Sequence, residues 1–148
     1  MKNTIKRHLI NLKYSKNRLI RHIKHNEISY NMMSFTDNQH HIFFGYYDVT
    51  PFHSDEDILL AMKVPYKRKI NVRTTEISLG YYNLSENSFH EFSKSSSWCW
   101  QQGCRMQWYA NATPFSVLFN SFTKGEYVSY IVDCYSKKTL TKFSYPMY

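Results

Sequence analysis

From His40 onward the chain is a succession of short apolar and aromatic runs separated by polar turns, and this pattern constrains the fold most. The runs are rich in β-branched and aromatic residues, which favour strands, and they are separated by Asn, Ser, Asp, Lys or Gly. The predicted strands are "HHIFFGYYDV", "ILLAMKV", "TTEISLGYYNL", "SFHEFSK", "RMQWYA", "FSVLFNSF", "EYVSYIVDCY" and "LTKFSY". Short strands at roughly 8–12-residue spacing predict an all-β domain, built as a sandwich, a barrel or a propeller.

An internal similarity indicates that this strand arrangement repeats. "YYDVTPFHSDEDILLAMKV" and "MQWYANATPFSVLFNSF" both contain an aromatic segment, a Pro-Phe pair and an apolar strand in the same order. The matching turns lie about sixty residues apart, which is longer than the ~40–45 residues of a simple propeller repeat. An insertion around "PYKRKINVRTT" accounts for the difference.

The positive charge of the chain is concentrated ahead of the strands. The net charge is +8, and eight Lys and Arg residues precede the first carboxylate, Glu27. The other 11 of the 19 Lys and Arg residues match the 11 Asp and Glu residues, so the rest of the chain is neutral. The chain after this basic segment therefore gives no electrostatic reason to expect nucleic acid as a partner.

Residues 1–35 are predicted to form a basic amphipathic arm. Ile5, Leu9 and Leu12 recur at three- and four-residue steps, as on one stripe of a helix. Such a helix can lie on an anionic membrane surface, contact a nucleic acid or a protein partner, dock on its own domain or remain unfixed, and the sequence leaves these hypotheses open. The cations expected to contact a membrane or partner are Lys6, Arg7, Lys13, Arg18, Arg21 and Lys24.

All three tryptophans lie in "WCWQQGCRMQW", residues 98–108. Trp98 and Trp100 alternate, so on a strand they share one face. Aromatic rings stack on sugar rings, while Gln and Arg bond hydroxyls and carboxylates, and Arg105 favours an acidic sugar. The alternative is that Trp98 and Trp108 pack internally while a glutamine satisfies buried backbone groups. The candidate binding residues here are Trp98, Trp100, Gln101, Gln102 and Arg105.

"GYYDVTP" supplies a second group of candidate binding residues, Tyr46, Tyr47 and Asp48. On a strand the two tyrosines point to opposite faces. Asp48 can serve as a base or a hydrogen-bond acceptor for a ligand. Alternatively, it caps the turn before Pro51 by bonding to the backbone.

These residues carry a resemblance to a known group of proteins. "TPFHSDEDILLA" resembles the turn and strand of TolB-type, WD40-like β-propeller repeats. "FFGYYD", with "WCWQQGCRMQW" and the following "FN", is similar to bacterial propeller proteins related to oligogalacturonate lyase and found among surface-polysaccharide genes. The resemblance extends over residues 43–133, and it implies a propeller fold.

The length of the chain then sets an expectation for the fold class. After the arm, residues 36–148 supply two to three blades at the repeat length given above, whereas a closed propeller has about 4–8. The predicted fold class is therefore all-β, an incomplete β-propeller-like set of antiparallel blades with an N-terminal basic helix. We expect residues 36–148 to be a fragment of a larger propeller, with assembly of several copies or a small sandwich as the alternatives.

The resemblance also implies a function, namely a module of bacterial cell-surface polysaccharide metabolism that binds an acidic glycan or a protein partner. The alternatives are a fragment of a polysaccharide lyase or hydrolase and a membrane-surface interaction module that uses the arm. The related lyases hold a divalent metal mainly through histidines, assisted by glutamine. Only Gln101 and Gln102 match that pattern, so no metal ligand and no cofactor is assigned. The histidines outside the arm are His40, His41, His53 and His90.

Cysteine usage and hydropathy give an expected location. Cys99, Cys104 and Cys134 form no CxxC pair, which favours reduced thiols. No apolar run approaches the ~18 residues of a membrane span, and the N-terminal pattern is not that of a signal peptide. We expect a cytoplasmic protein, and the arm adds the hypothesis of peripheral contact with the inner membrane.

Overall fold

The computed structural model of the protein describes residues 39–45, 48–54, 57–65, 70–71 and 75–147. All of them lie in one compact unit, Phe35–Tyr148. The eight strands are β1 (His40–Phe43), β2 (Ile58–Pro65), β3 (Ile77–Asn83), β4 (Ser88–Ser95), β5 (Gln107–Trp108), β6 (Ser116–Thr123), β7 (Glu126–Asp133) and β8 (Lys138–Phe143). Each predicted strand segment overlaps one of these strands, so the all-β prediction is confirmed for the described residues.

The strands form two antiparallel sheets of four strands each. Sheet 1 has the order β1-β2-β3-β4 and sheet 2 has the order β5-β6-β7-β8, so in both sheets each strand pairs with the next one along the chain. The two internally similar segments lead into equivalent strands, because the first leads into β2 of sheet 1 and the second leads into β6 of sheet 2, and each is the second strand of its sheet.

The final hairpin of each sheet is closed by the same kind of hydrogen bond, which a backbone amide in the turn donates to an Asn or Asp side chain. The Asn83 Oδ1 atom accepts a hydrogen bond from the amide of Glu86 at 3.1 Å. In sheet 2 the Asp133 Oδ1 atom accepts one from the amide of Ser136 at 2.8 Å. Asn and Asp favour turns because they bond the backbone a few residues ahead. Sheet 2 therefore repeats the hairpin design of sheet 1.

One hydrophobic core joins the two sheets. Leu60, Met62 and Val64 of β2 are fully buried, as are Val117 and Phe119 of β6, and all five belong to the same cluster. Full burial of a side chain of this size stabilises the fold by about 1.5–3 kcal/mol. Both sheets therefore depend on one shared core.

The predicted fold class, an incomplete β-propeller-like set of blades with an N-terminal basic helix, is wrong, although its all-β component holds. The described ranges contain no helix, and they form two four-stranded sheets. The physical reason is that the apolar faces of the two sheets bury one another in a common core. Strand patterning alone does not specify this association. The arm, residues 1–35, lies outside the described residues.

Candidate functional site

The two sheets are joined by residues 96–106, which we name the connector. Its centre is a tight turn in which Cys99 and Gly103 exchange backbone hydrogen bonds of 3.1 and 2.9 Å. Gly103 has φ +57°, and a Cβ atom there would overlap the Met62 side chain and lie 2.9 Å from the Phe44 carbonyl oxygen. Only glycine fits this position, so the connector turn lies directly on sheet 1.

Trp98 holds the beginning of the connector in the core. Its side chain is 7% exposed, and its indole Nε1 donates a hydrogen bond of 2.6 Å to the Thr75 carbonyl oxygen. Trp108 makes the equivalent bond to the Pro51 carbonyl oxygen at 2.8 Å. Both indoles therefore have the internal packing role that the sequence offered as an alternative to ligand binding.

Trp100 differs from its neighbours because 45% of its surface is exposed. Its ring lies 5.2 Å from the Trp98 ring, 5.1 Å from Phe43 and 5.7 Å from His41. These contacts hold the indole in place from one side. Trp100 therefore presents a fixed aromatic surface to solvent.

A cleft of about 220 Å³ opens beside the connector, and we name it the connector cleft. Its walls come from the connector, from β6 and β7, and from the segment that follows β8. The residues that determine its chemistry are Trp98, Cys99, Gln102, Arg105, Asn120 and Tyr127. Among its described lining residues there is no carboxylate. The cleft is therefore suited to a neutral or negatively charged ligand.

Arg105, which lines the cleft, has an unusual backbone conformation. Its φ is +60°, a left-handed conformation that residues with a Cβ atom seldom adopt. The turn supports this conformation, because the Arg105 amide donates a hydrogen bond of 3.3 Å to the Gln102 carbonyl oxygen.

Asn120 forms the opposite wall, and sequence reasoning missed it. It is 6% exposed. Its Nδ2 donates a hydrogen bond of 2.8 Å to the Met147 carbonyl oxygen, and its Oδ1 accepts bonds from the Met147 amide at 2.9 Å and the Ser129 hydroxyl at 2.8 Å. The side chain thus binds both backbone groups of Met147, and the neighbouring Pro146 lies in the cleft wall. An Asn within the apolar run "FSVLFNSF" was the available signal.

The three cysteines are free, and they differ in environment. Cys104 and Cys134 are buried, and burial raises the pKa of each thiol to about 12. Both remain protonated near neutral pH and cannot act as nucleophiles. Cys99 is exposed in the cleft, where its Sγ accepts a hydrogen bond of 3.3 Å from the Gln102 amide.

The predicted site residues separate into three groups. Trp98, Gln102 and Arg105 line the connector cleft. Trp100 is not one of its lining residues, but the Trp100 ring packs against the ring of Trp98. Gln101 and Asp48 are exposed and do not line the cleft. The predicted residues that lie outside the described ranges are Tyr46, Tyr47, Lys6, Arg7, Lys13, Arg18, Arg21 and Lys24.

A Ser, His and Glu cluster lies on the β3–β4 hairpin. The Ser88 hydroxyl lies 2.7 Å from the His90 Nε2 atom, and the Glu86 Oε2 atom lies 2.9 Å from that same nitrogen. Hydrogen bonds from Ser88 and then His90 lower the pKa of the Glu86 carboxyl. A catalytic triad requires the acid on one ring nitrogen and the nucleophile on the other. This arrangement therefore does not activate Ser88.

Comparisons with known proteins give no relative, because no protein-family model, no curated protein and no solved structure matches the chain. Within the described ranges, no three His, Cys, Asp or Glu side chains are grouped so that they could hold a metal ion. A search of those ranges also finds no helix that is long and apolar enough to cross a membrane. The arrangement with the clearest binding chemistry in the described part of the chain is the connector cleft.

Proposed function

We propose that this chain binds an acidic glycan of bacterial cell-surface polysaccharide metabolism, and that the connector cleft holds one acidic sugar of it. The observation that carries this proposal is the position of Arg105. It is the only Lys or Arg among the described lining residues. A guanidinium group pairs with a carboxylate through two parallel hydrogen bonds, which gives both affinity and orientation.

The remaining lining residues suit the uncharged parts of a sugar. Gln102 provides an amide group for hydroxyls. Asn120 is held in a fixed orientation by its bonds to Met147, and its second Nδ2 hydrogen can be donated to a hydroxyl. Tyr127 is 59% exposed and provides an aromatic surface at the rim. Sugar-binding sites combine such rings with a few placed polar groups.

The size of the cleft limits how much of a glycan it holds. At about 220 Å³ it is smaller than the ~300–1,000 Å³ typical of sites for drug-sized ligands. We therefore infer that one sugar ring enters, while the rest of the chain lies across the surface near Trp100.

The two sequence stretches that resemble the polysaccharide-associated proteins also lie together. "FFGYYD" contains Phe43, whose ring is 5.9 Å from Trp98 and 5.1 Å from Trp100 of "WCWQQGCRMQW". Two separate stretches of one resemblance therefore support a single site. This supports polysaccharide as the ligand class.

Isothermal titration calorimetry with trigalacturonate and with the neutral glucose trimer maltotriose tests the proposal. We expect the acidic trimer to bind more tightly at the connector cleft, and Arg105→Asn to weaken it about tenfold or more, because hydrogen bonds to charged groups contribute about 1.5–3 kcal/mol. Lys124→Asn is the matched control, since Lys124 is an exposed cation with φ +52° outside the described cleft lining. Equal losses in both variants, or no preference for the acidic trimer, would contradict the proposal.

A further inference from the structure

The connector contacts sheet 1 through two sulfur atoms. The Cys104 thiol donates a hydrogen bond of 3.8 Å to the Sδ atom of Met62, which lies on β2, and both side chains are buried. Two sulfur ligands of one metal ion lie at most about 4.6 Å apart, since a metal–sulfur bond is about 2.3 Å long. The distance between these two sulfur atoms is therefore compatible with a shared metal ion.

The connector turn brings a third sulfur group, that of Cys99, to the same place. Cys99 and Gly103 form an antiparallel bridge, and directly opposed residues of such a pair project to the same side. A Cβ atom on Gly103 would lie 2.8 Å from the Sδ atom of Met62. Met62 therefore contacts the side of the turn from which Cys99 projects, and Cys104 directly follows Gly103 in the chain.

The connector cleft connects this sulfur group with solvent. Cys99 and Cys104 both line the cleft, where Cys99 is exposed and Cys104 is 2% exposed. Met62 lies behind them and is fully buried. An ion that enters at Cys99 is therefore enclosed by the core, and such apolar surroundings limit the access of water to a bound metal.

The ligand types decide which ion suits the site. Thiolate and thioether sulfur are soft ligands that select Cu(I), whereas Mg²⁺ and Ca²⁺ prefer carboxylate and carbonyl oxygen. The described lining residues of the cleft include no carboxylate. In the described ranges no three His, Cys, Asp or Glu side chains could hold a metal ion together. A metal site at the connector therefore requires the thioether of Met62 as its third ligand.

We infer that Cys99, Cys104 and Met62 form a binding site for Cu(I). The ion takes the place of the proton that Cys104 shares with Met62. Each thiol releases its proton to solvent and forms a bond from its thiolate to the ion, while the Met62 thioether donates a lone pair. The copper remains Cu(I), so binding consumes no oxidant or reductant. The inference is independent of the proposed function, because the groups expected to bind an acidic sugar are other side chains of the cleft.

The test is an anaerobic titration of the full chain with Cu(I) against the competing chelator bathocuproine disulfonate. We expect the chain to hold one Cu(I). Met62→Leu, a change that nearly conserves volume, and Cys99→Ser should each weaken binding about tenfold or more, because loss of a group that merely positions a ligand already costs about 10–100-fold. X-ray absorption should show three sulfur neighbours of the copper in the parent chain and two in Met62→Leu.

Two matched variants serve as controls and should keep the parent affinity. Met106 is another buried methionine of the same core, and the Cys104 thiol bonds to Met62 rather than to it, so Met106→Leu tests changed packing alone. Cys134 is a buried cysteine outside the described cleft lining, so Cys134→Ser tests the loss of a thiol elsewhere.

The affinity should also rise with pH. Burial raises the pKa of the Cys104 thiol to about 12, so this thiol still carries its proton near neutral pH and must release it on binding. That release alone should tighten Cu(I) binding about tenfold per pH unit.

Four outcomes would overturn the inference. They are a failure of the chain to take Cu(I) from the chelator, unchanged affinity in Met62→Leu, equal losses in Met62→Leu and Met106→Leu, and the binding of several ions of which Cys134→Ser removes one. The last result would show that the thiols bind copper independently of one another.

Discussion

Gly45 and Gly103 meet backbone to backbone, since a Cβ atom on Gly45 would lie 2.7 Å from the amide nitrogen of Gly103. Gly45 follows β1 and has φ +110°, while Gly103 closes the connector turn. Any side chain at Gly45 would push these two segments apart. The end of β1 and the connector turn therefore depend on each other for their positions.

We expect Gly45→Ala to lower the free energy of unfolding by about 2 kcal/mol or more, because it adds both a steric clash and strain at a positive φ. Gly125→Ala is the control, since Gly125 has φ +84° but open space around it, and it should cost only about 1 kcal/mol. Urea unfolding followed by circular dichroism measures both values. Equal losses would show that the contact with Gly103 contributes nothing.

Asn120 should determine whether residues 144–147 stay in place. Asn120→Ala removes both bonds to Met147 and the bond from the Ser129 hydroxyl, so we expect a loss of about 2–3 kcal/mol. Hydrogen exchange should show that the Met147 amide loses its protection, while amides in sheet 1 keep theirs. Ser129→Ala is the milder comparison, because it leaves both Met147 bonds intact and removes only the Ser129 bonds to Asn120 and to the Tyr145 carbonyl oxygen. Retained protection at Met147 in Asn120→Ala would disprove this role.

Asp133 should make the free energy of unfolding depend on pH in the acidic range. The amide of Ser136, and then the Thr113 and Ser136 hydroxyls, lower the pKa of its carboxyl. Because the folded pKa lies below the unfolded value of about 3.9, this stabilisation is present above that value and is lost as pH falls through the folded pKa. Asp133→Asn should remove it, at a cost on the order of 1 kcal/mol or less, because the group is only partly buried and solvent screens it. Urea unfolding between about pH 2 and pH 6 should show the two curves converging in acid.

The strands were predictable from the sequence, but the site was only partly so. Strand segments are recognised from local composition, and "SFHEFSK" and "EYVSYIVDCY" lie where β4 and β7 are found. The partners of Asn120 are not local, because Met147 is 27 residues away in the chain. The association of the two sheets was mispredicted for the same reason, since it depends on contacts such as that of Cys104 with Met62.

Trp98 and Trp100 also show that a local sequence pattern does not determine which side chain is exposed. Strand alternation predicted one shared face for both rings, and their centroids do lie 5.2 Å apart. Their exposure nevertheless differs, at 7% and 45%, because the turn closed by Cys99 and Gly103 begins between them. Which ring is available to a ligand therefore depends on the turn and not on the alternation.

This difference leads to a prediction with opposite effects for the two rings. Trp98→Ala should lower the free energy of unfolding by about 3–5 kcal/mol, because it leaves a cavity and an unpaired Thr75 carbonyl oxygen. Trp100→Ala should cost about 1 kcal/mol and should instead weaken trigalacturonate binding severalfold, since it removes an exposed stacking surface. Urea unfolding and calorimetry measure the two effects separately. A Trp100→Ala variant with unchanged affinity would limit the glycan surface to the lining of the cleft, and the inferred path of the glycan near Trp100 would then be incorrect.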